Sequence, residues 1–321
     1  MHREKTVMPK IWDPRLPNKQ TPKRRLMGYM WDSVGFIVQP WSMHCLTTFL
    51  FMFVYHLASF FCCILAVLLI AWGFITMSRE RSNPKKDGKW TGIGGLMVFS
   101  AALGCFEGYQ GFIEFTGRFY AIGDGREYRE VEPTELAVSK SDAGSFFWAP
   151  DTIVDVTRSV GLRIDHTFCV APISNQDDLM ANVEFWAVGR DCCKFRSEFS
   201  CGNAPIPEKT PQSVVFYTNG GIFGNMTSSD ADYYLLAVEM AKAEFGILSR
   251  GEVKLVQWTS SIQATKKGML RDSIVFFAFH SAYNLLINIL FGLVVFVYTL
   301  SKARENNVQA ALKEDNPANQ A

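Results

Sequence analysis

Residues 45–77 read CLTTFLFMFVYHLASFFCCILAVLLIAWGFITM, an apolar block without a single Asp, Glu, Lys or Arg. Its 33 residues exceed the roughly 20 that a helix needs to cross the hydrocarbon core of a bilayer. Tilt, or a helix projecting beyond the bilayer, accommodates the surplus. The block predicts a transmembrane span over 45–77 and makes the chain an integral membrane protein whose first partner is the lipid bilayer.

The polar connector Ser78–Lys89 that follows is basic, with Arg79, Arg81, Lys85, Lys86 and Lys89. Beyond it, Trp90–Phe115 is apolar but interrupted by Glu107 and Gln110. Gly104 and Gly108 stand four apart, a small-xxx-small spacing that lets helices approach closely in lipid. A second span over 91–113 is expected, completing a transmembrane region over 45–115; the alternative is a glycine-rich helix or connector on the surface. Ser273–Leu300 again lacks acidic and basic residues and predicts a further span over 273–300, followed by a polar tail, 301–321, with Lys302 and Arg304.

The first 44 residues form a basic leader holding Lys23, Arg24 and Arg25. Within it Met27–Trp41 mixes Tyr29, Trp31 and Phe36 with Asp32 and Gln39, too polar to span. It reads as an interfacial segment or as a loosely structured tail. Neither a secretory signal pattern in residues 1–20 nor a retrieval or lipidation signal in 316–321 is expected. The net charge of +1 over 321 residues gives no sign of a nucleic-acid partner.

Residues 116–271 have the composition of an aqueous domain. The runs Phe146–Val156, Thr167–Ile173, Asn182–Gly189, Ser213–Thr218 and Glu252–Trp258 are short, rich in β-branched and aromatic residues, and bounded by turn formers, as strands are. Between the last two, Tyr233, Leu236, Ala237, Met240, Ala241 and Phe245 recur at helical spacing and predict a helix over Ser229–Leu248. Its N-cap is Ser228 or Ser229, and its exit is near Gly246 or Gly251. The expected fold class is α-helical transmembrane segments plus a small α+β, disulfide-braced domain.

Basic residues set the orientation of membrane helices, being concentrated in cytosolic loops. Here leader, 78–90 connector and tail are all basic, yet three spans place leader and connector on opposite sides. Cys169, Cys192, Cys193 and Cys201 form an even set suited to two bridges in an oxidising compartment. Asn225, in Asn225-Met226-Thr227, is an N-glycan acceptor. Both place the domain in the lumen or outside the cell, of an endomembrane or the plasma membrane. Three spans then put the leader outside, whereas two spans (45–77 and 273–300) put leader and tail in the cytosol; the three-span reading is preferred.

Cys192 and Cys193 are adjacent and directly follow a strand, so their side chains point opposite ways and serve different partners. Cys169 with one of them and Cys201 with the other is the favoured pairing among three. A sharper alternative is zinc held by His166, Cys169 and one or both of Cys192 and Cys193. No Cys-x-x-Cys is present, and a vicinal pair fits one tetrahedron poorly. A redox role meets the same objection.

Conventional catalysis finds little support. His166 is the domain's one histidine, so any Ser-His-Asp or Cys-His grouping must use it. The carboxylate pairs Asp151 with Asp155 and Asp177 with Asp178 have no distinctive spacing. The turn with Gly220, Gly221 and Gly224 matches no phosphate-binding pattern. No enzyme class, catalytic residue, cofactor or metal emerges. Within the last span, His280, Asn284 and Asn288 recur every four residues and line one face. In lipid that face turns to another helix or to a wet cavity. His56, Ser59 and Glu107 are its candidate partners. Interhelical bonding, within the chain or to copies of itself or other membrane proteins, is the ordinary explanation; a proton or solute path is the other.

The succession Asp155-Val156-Thr157-Arg158-Ser159-Val160-Gly161, Thr167-Phe168-Cys169-Val170-Ala171-Pro172-Ile173, Val183-Glu184-Phe185-Trp186-Ala187-Val188-Gly189-Arg190-Asp191-Cys192-Cys193 and Phe199-Ser200-Cys201, with the helix Tyr233–Phe245, carries a resemblance. It is similar to a large group of membrane proteins of dinoflagellate algae sharing a Phe-Trp-Ala-Val-Gly-x-Asp-Cys-Cys domain. The likeness covers roughly residues 130–260. It implies a shared domain tethered to membrane spans and brings no activity, ligand or catalytic residue. The expected function is a membrane-tethered lumenal or extracellular binding, sensing or assembly module. The alternatives are a subunit of an oligomeric transporter or channel and a membrane-anchored enzyme with a lumenal cysteine or metal site.

Overall fold

A computed structural model of the protein describes residues 22–82, 89–175, 182–196, 198–204, 211–215 and 228–314. Its helices are α1 (Pro22–Phe49), α2 (Tyr55–Ser78), α3 (Lys89–Gly111), α4 (Gly117–Asp124), α5 (Ser228–Phe245) and α6 (Ile262–Glu314). Single π-helical turns, Leu50–Val54 and Phe112–Thr116, join α1 to α2 and α3 to α4. Among the described residues, three helical stretches are long and apolar enough to cross a membrane: Val34–Ser78, Trp90–Asp124 and Ile262–Lys302. Their outward faces are strongly apolar, with Leu57 and Phe60 each 77% exposed, which suits contact with lipid and not with water. The chain divides into two compact units, which cut these helices.

One unit comprises residues 1–45, 67–103 and 281–321. Phe36, Ile93 and Met97 are buried at its centre, with Met43, Leu96 and Val295 packed against them. Segments of α1, α3 and α6 thus share one core. α2 joins through glycines: a methyl placed on Gly94 would sit 2.6 Å from the carbonyl oxygen of Gly73. Close backbone approach through small residues is how helices adhere where no hydrophobic effect separates them from solvent. Trp41 Nε1 donates to the carbonyl of Ser281 at 3.0 Å. Residues 34–44, expected to be leader, therefore belong to the helices. Of their polar side chains, His44 turns inward at 0% exposure, while Gln39 and Ser42 are exposed.

The other unit holds residues 46–66 and 104–280. Here the block expected as one span proves to be two helices. Ala58 leaves the helical region (φ −152°, ψ 63°), and Cys62 Sγ donates to the carbonyl of Leu50 at 3.6 Å, 12 residues away. A continuous helix would separate them by about 18 Å, so the chain reverses at Ala58. The segment before the reversal packs on α3 and α4. A methyl on Gly108 would meet the Thr48 carbonyl oxygen at 2.7 Å. Thr116 Oγ1 donates to Met52 O at 2.5 Å and Tyr120 OH to Phe53 O at 3.2 Å. Hydrogen bonds from side chains to main-chain carbonyls suit apolar surroundings, where no water is present to bond polar groups.

Among its described residues the same unit contains an eight-stranded mixed sheet in the order β1-β2-β7-β8-β6-β5-β3, with β4 also paired to β5. The strands are β1 (Arg126–Val131), β2 (Ala143–Trp148), β3 (Thr152–Val154), β4 (Val160–Arg163), β5 (Thr167–Asn175), β6 (Phe185–Arg190), β7 (Gln212–Val215) and β8 (Lys254–Thr259). β1/β2 and β6/β8 are parallel and the other pairs antiparallel. The domain thus begins near Arg126, ten residues later than expected, because 117–124 prolong the helix. β1 and β4 were not expected as strands: β1 is charged and buries only Val131 fully, and β4 is a four-residue edge.

β5 and β6 are buried on both faces, which accounts for their nearly unbroken apolar sequence. One face, with Phe168, Val170, Trp186, Val188 and Leu255, lies under Tyr234, Ala237, Val238 and Ala241 of α5. α5 ends in a glycine cap: Gly246 takes φ +65° and the N–H of Ile247 bonds to Lys242 O at 3.1 Å. The opposite face packs Phe146, Trp148, Phe185 and Trp258 on one another and buries Cys169 in the same core. Ile122 of α4 and Ile262 of α6 pack on Val214 of β7, joining the sheet to the helices that lead into and out of it.

Candidate functional site

The four domain cysteines pair as Cys169–Cys193 and Cys192–Cys201, with Cα separations of 5.7 and 5.2 Å. The geometry follows from the strands. In register, Gly161 of β4, Cys169 of β5 and Gly189 of β6 lie side by side across the sheet. A methyl on Gly161 would meet Cys193 Sγ at 2.9 Å; one on Gly189 would collide with Cys201 Sγ and meet Cys192 Sγ at 2.5 Å. The bridges occupy the volume that these two glycines leave free. Glycine inside a strand commonly marks such a close approach, and this was the sequence signal for Gly161 and Gly189 that spacing arguments passed over.

Two further features tie the cysteine segment down. Phe199 is 1% exposed and anchors the loop on the sheet face. Gly202, at φ +60°, packs directly on the carbonyl of Trp258, where no side chain fits. The sulfurs of Cys169, Cys192 and Cys201 lie within 4.8 Å of one another, but each is engaged in a disulfide. Cys169 therefore has no free thiolate to offer beside His166, and the zinc grouping does not assemble in this state.

His166 points instead to Asp191. Its Nδ1 is 2.9 Å from Asp191 Oδ2, while Asp191 Oδ1 accepts the N–H of Thr167 at 2.8 Å. That backbone donor, with His166 and Arg190 nearby, holds the Asp191 carboxyl below its ordinary range. Both side chains are more than half exposed, so the pair closes the β5–β6 end at the surface. The same end displays Phe195, 60% exposed, and Ile164, 45% exposed. Phe195 is held in place by its carbonyl, which accepts the N–H of Gly161.

No family model, curated protein or solved structure matches this chain. Its chemistry rests on its own residues.

Asp155 is not a partner of Asp151. It caps the turn Val156–Arg158, accepting from Thr157 N at 3.0 Å and Thr157 Oγ1 at 2.6 Å, and pairs with Arg158 Nε at 2.5 Å. Burial pushes its carboxyl up, but these bonds and the guanidinium outweigh burial and hold it below the usual value. Asn225, Asp177, Asp178, Gly220, Gly221 and Gly224 lie outside the described residues.

Among the helices, Nδ1 of His280 on α6 is 3.1 Å from Oε1 of Glu107 on α3, with side-chain exposures of 25% and 11%. Asn284 and Asn288 are each 1% exposed, and Asn288 Nδ2 donates to Asn284 O and Oδ1 at 2.9 and 2.8 Å. Glu107 is thus the partner of His280. His56 is not: its Nε2 lies 2.6 Å from Asp124 Oδ2, and its ring stacks on Tyr120 at 4.5 Å. No sequence pattern marked that pair, because its members are 68 residues apart.

Proposed function

We propose that this protein is a membrane-anchored binding or assembly module whose disulfide-braced sheet stands in the lumen or outside the cell. The observation that carries the reading is the cysteine row. Two bridges on adjoining strands rigidify one end of the sheet, and cysteines stay oxidised in such compartments. Rigid presentation of apolar side chains between charges is what protein recognition uses, and Phe195 and Ile164 are presented at that end beside Arg163, Lys194 and Arg196. His166, bound to Asp191, acts here as part of the scaffold. The packing of Ile122 and Ile262 on the sheet provides a mechanical connection from the braced domain to α4 and α6. A photo-crosslinking residue at position 195 of the full-length protein in cells is expected to yield adducts of discrete mass. The same residue at exposed Glu130 on β1 is expected to yield none. Equal adduct patterns at the two positions, or none at either, would overturn the assignment of the binding end.

The Glu107–His280 contact favours a second reading, a conduit for protons or small cations. Ionisable residues within apolar helices are costly and mark such paths when they face one another. Reconstituted in liposomes with an entrapped pH dye, the wild-type protein would then dissipate a proton gradient and Glu107→Gln would not. Gradients that persist equally in wild-type and protein-free vesicles rule the conduit out.

A further inference from the structure

We infer that the chain crosses the membrane four times, with the leader, the 79–88 connector and the tail together in the cytosol and the reversal at Ala58 on the same side as the disulfide domain. The inference begins with the reversal. On either side of Ala58 the chain has length enough to cross: residues 34–57 and 59–78 extend about 36 and 30 Å at 1.5 Å per residue, against a hydrocarbon core of about 30 Å. Both segments lack Asp, Glu, Lys and Arg. With the helix from Trp90 to Asp124 and α6 they make four crossings.

The location of the reversal is fixed independently of charge. His56, two residues before Ala58, contacts Asp124 at 2.6 Å and stacks on Tyr120. Asp124 is itself two residues before β1. The reversal therefore shares the membrane face from which the sheet domain departs. Helices α2 and α3 also run antiparallel, since Gly73 of α2 packs on Val98 of α3 while Met77, one turn later in α2, packs on Gly94, one turn earlier in α3. A re-entrant or interfacial role for residues 34–57 is disfavoured because that arm packs along α3 from Gly92, against Phe36, to Gly108.

Four crossings remove the conflict in basic charge. Lys23, Arg24 and Arg25 of the leader, Arg79, Arg81, Lys85, Lys86 and Lys89 of the connector, and Lys302 and Arg304 of the tail all fall on one side, as the positive-inside rule requires. Three crossings separate leader from connector, and two separate connector from tail. The number of crossings stands on the reversal alone; which side is cytosolic rests also on the oxidising location proposed for the domain.

The test is accessibility of single reporter cysteines in the full-length protein, with Cys45, Cys62, Cys63 and Cys105 replaced by alanine and the disulfide cysteines kept. Reporters are Gln20→Cys, Asn83→Cys, Asn306→Cys, Leu57→Cys and Val138→Cys, the chain being inserted into sealed microsomes and treated with a membrane-impermeant maleimide. Positions 20, 83 and 306 are expected to label in intact vesicles, and 57 and 138 only after detergent. Protection of position 20 with labelling of 83 means three crossings, and labelling of 20 with protection of 83 means two; either overturns the inference. A wholly inverted pattern keeps four crossings and overturns the side, and with it the lumenal reading of the domain. Retention of both disulfides on non-reducing gels shows that each variant has folded.

Discussion

Replacing Cys169 and Cys193 together by alanine is expected to lower the stability of the sheet domain by about 3.5 kcal/mol, from the loop-closure entropy of a 24-residue separation. The same estimate for Cys192–Cys201, separated by 9 residues, is about 2.5 kcal/mol. The longer loop loses more because its closure restricts more of the unfolded chain. Cys169 is completely buried, so the alanine variant also leaves unfilled space in the core between Gly161 and Gly189. Thermal unfolding of the purified protein in detergent is expected to shift downward by on the order of 10 °C. Gly189→Ala probes the same construction with all cysteines intact. Its methyl occupies the space of the Cys192–Cys201 bridge, and overpacking of this kind costs about 1–3 kcal/mol. An unchanged melting curve for both variants would show that the row Gly161-Cys169-Gly189 does not brace the sheet.

Asp155→Ala is expected to destabilise the domain by about 3–5 kcal/mol, the usual penalty for removing one partner of a buried charge pair. Arg158, only 17% exposed in its side chain, keeps its charge and loses its counter-ion, while the turn loses its cap. The pH dependence has a definite sign. The Asp155 carboxyl is lowered in the folded state, so its contribution is complete above the unfolded carboxyl value of about 3.9 and disappears as pH falls through the lower folded value. Wild-type stability is therefore expected to drop across that acidic window, with a shallower drop in Asp155→Ala. Asp151→Ala, at an exposed position, is the control and is expected to remain within about 0.5 kcal/mol of wild type. Urea unfolding at neutral and acid pH measures both. Equal stabilities for the Asp151 and Asp155 variants would refute the capping role.

Much of this architecture was legible in the residues. Strands β5, β6 and β8 announced themselves because their apolar runs are short, β-branched or aromatic, and bounded by turn formers. Helix α5 did so through its three-and-four spacing and its capping glycine. β1 did not, because an edge strand that buries little besides Val131 carries no alternation. Asp155 looked like any surface acid, since the feature that distinguishes it, burial against Arg158, is tertiary. The vicinal cysteines told that each would find a different partner. Which partner depended on Gly161 and Gly189 clearing space on either side of Cys169.

Composition by itself determined that long apolar helices and a cysteine-bearing sheet domain are joined in one chain, because hydropathy reports the surroundings a segment requires. It did not determine how the apolar residues from 34 to 78 are arranged. One long helix and two antiparallel ones can be written with the same run of apolar residues, and Tyr55-His56-Leu57-Ala58-Ser59 holds neither the glycine nor the proline that ordinarily marks a turn. The reversal is decided by contacts remote in sequence: Thr116 with Met52, Tyr120 with Phe53, and Asp124 with His56. Backbone direction is set by what the chain packs against, and only the tertiary structure contains that information.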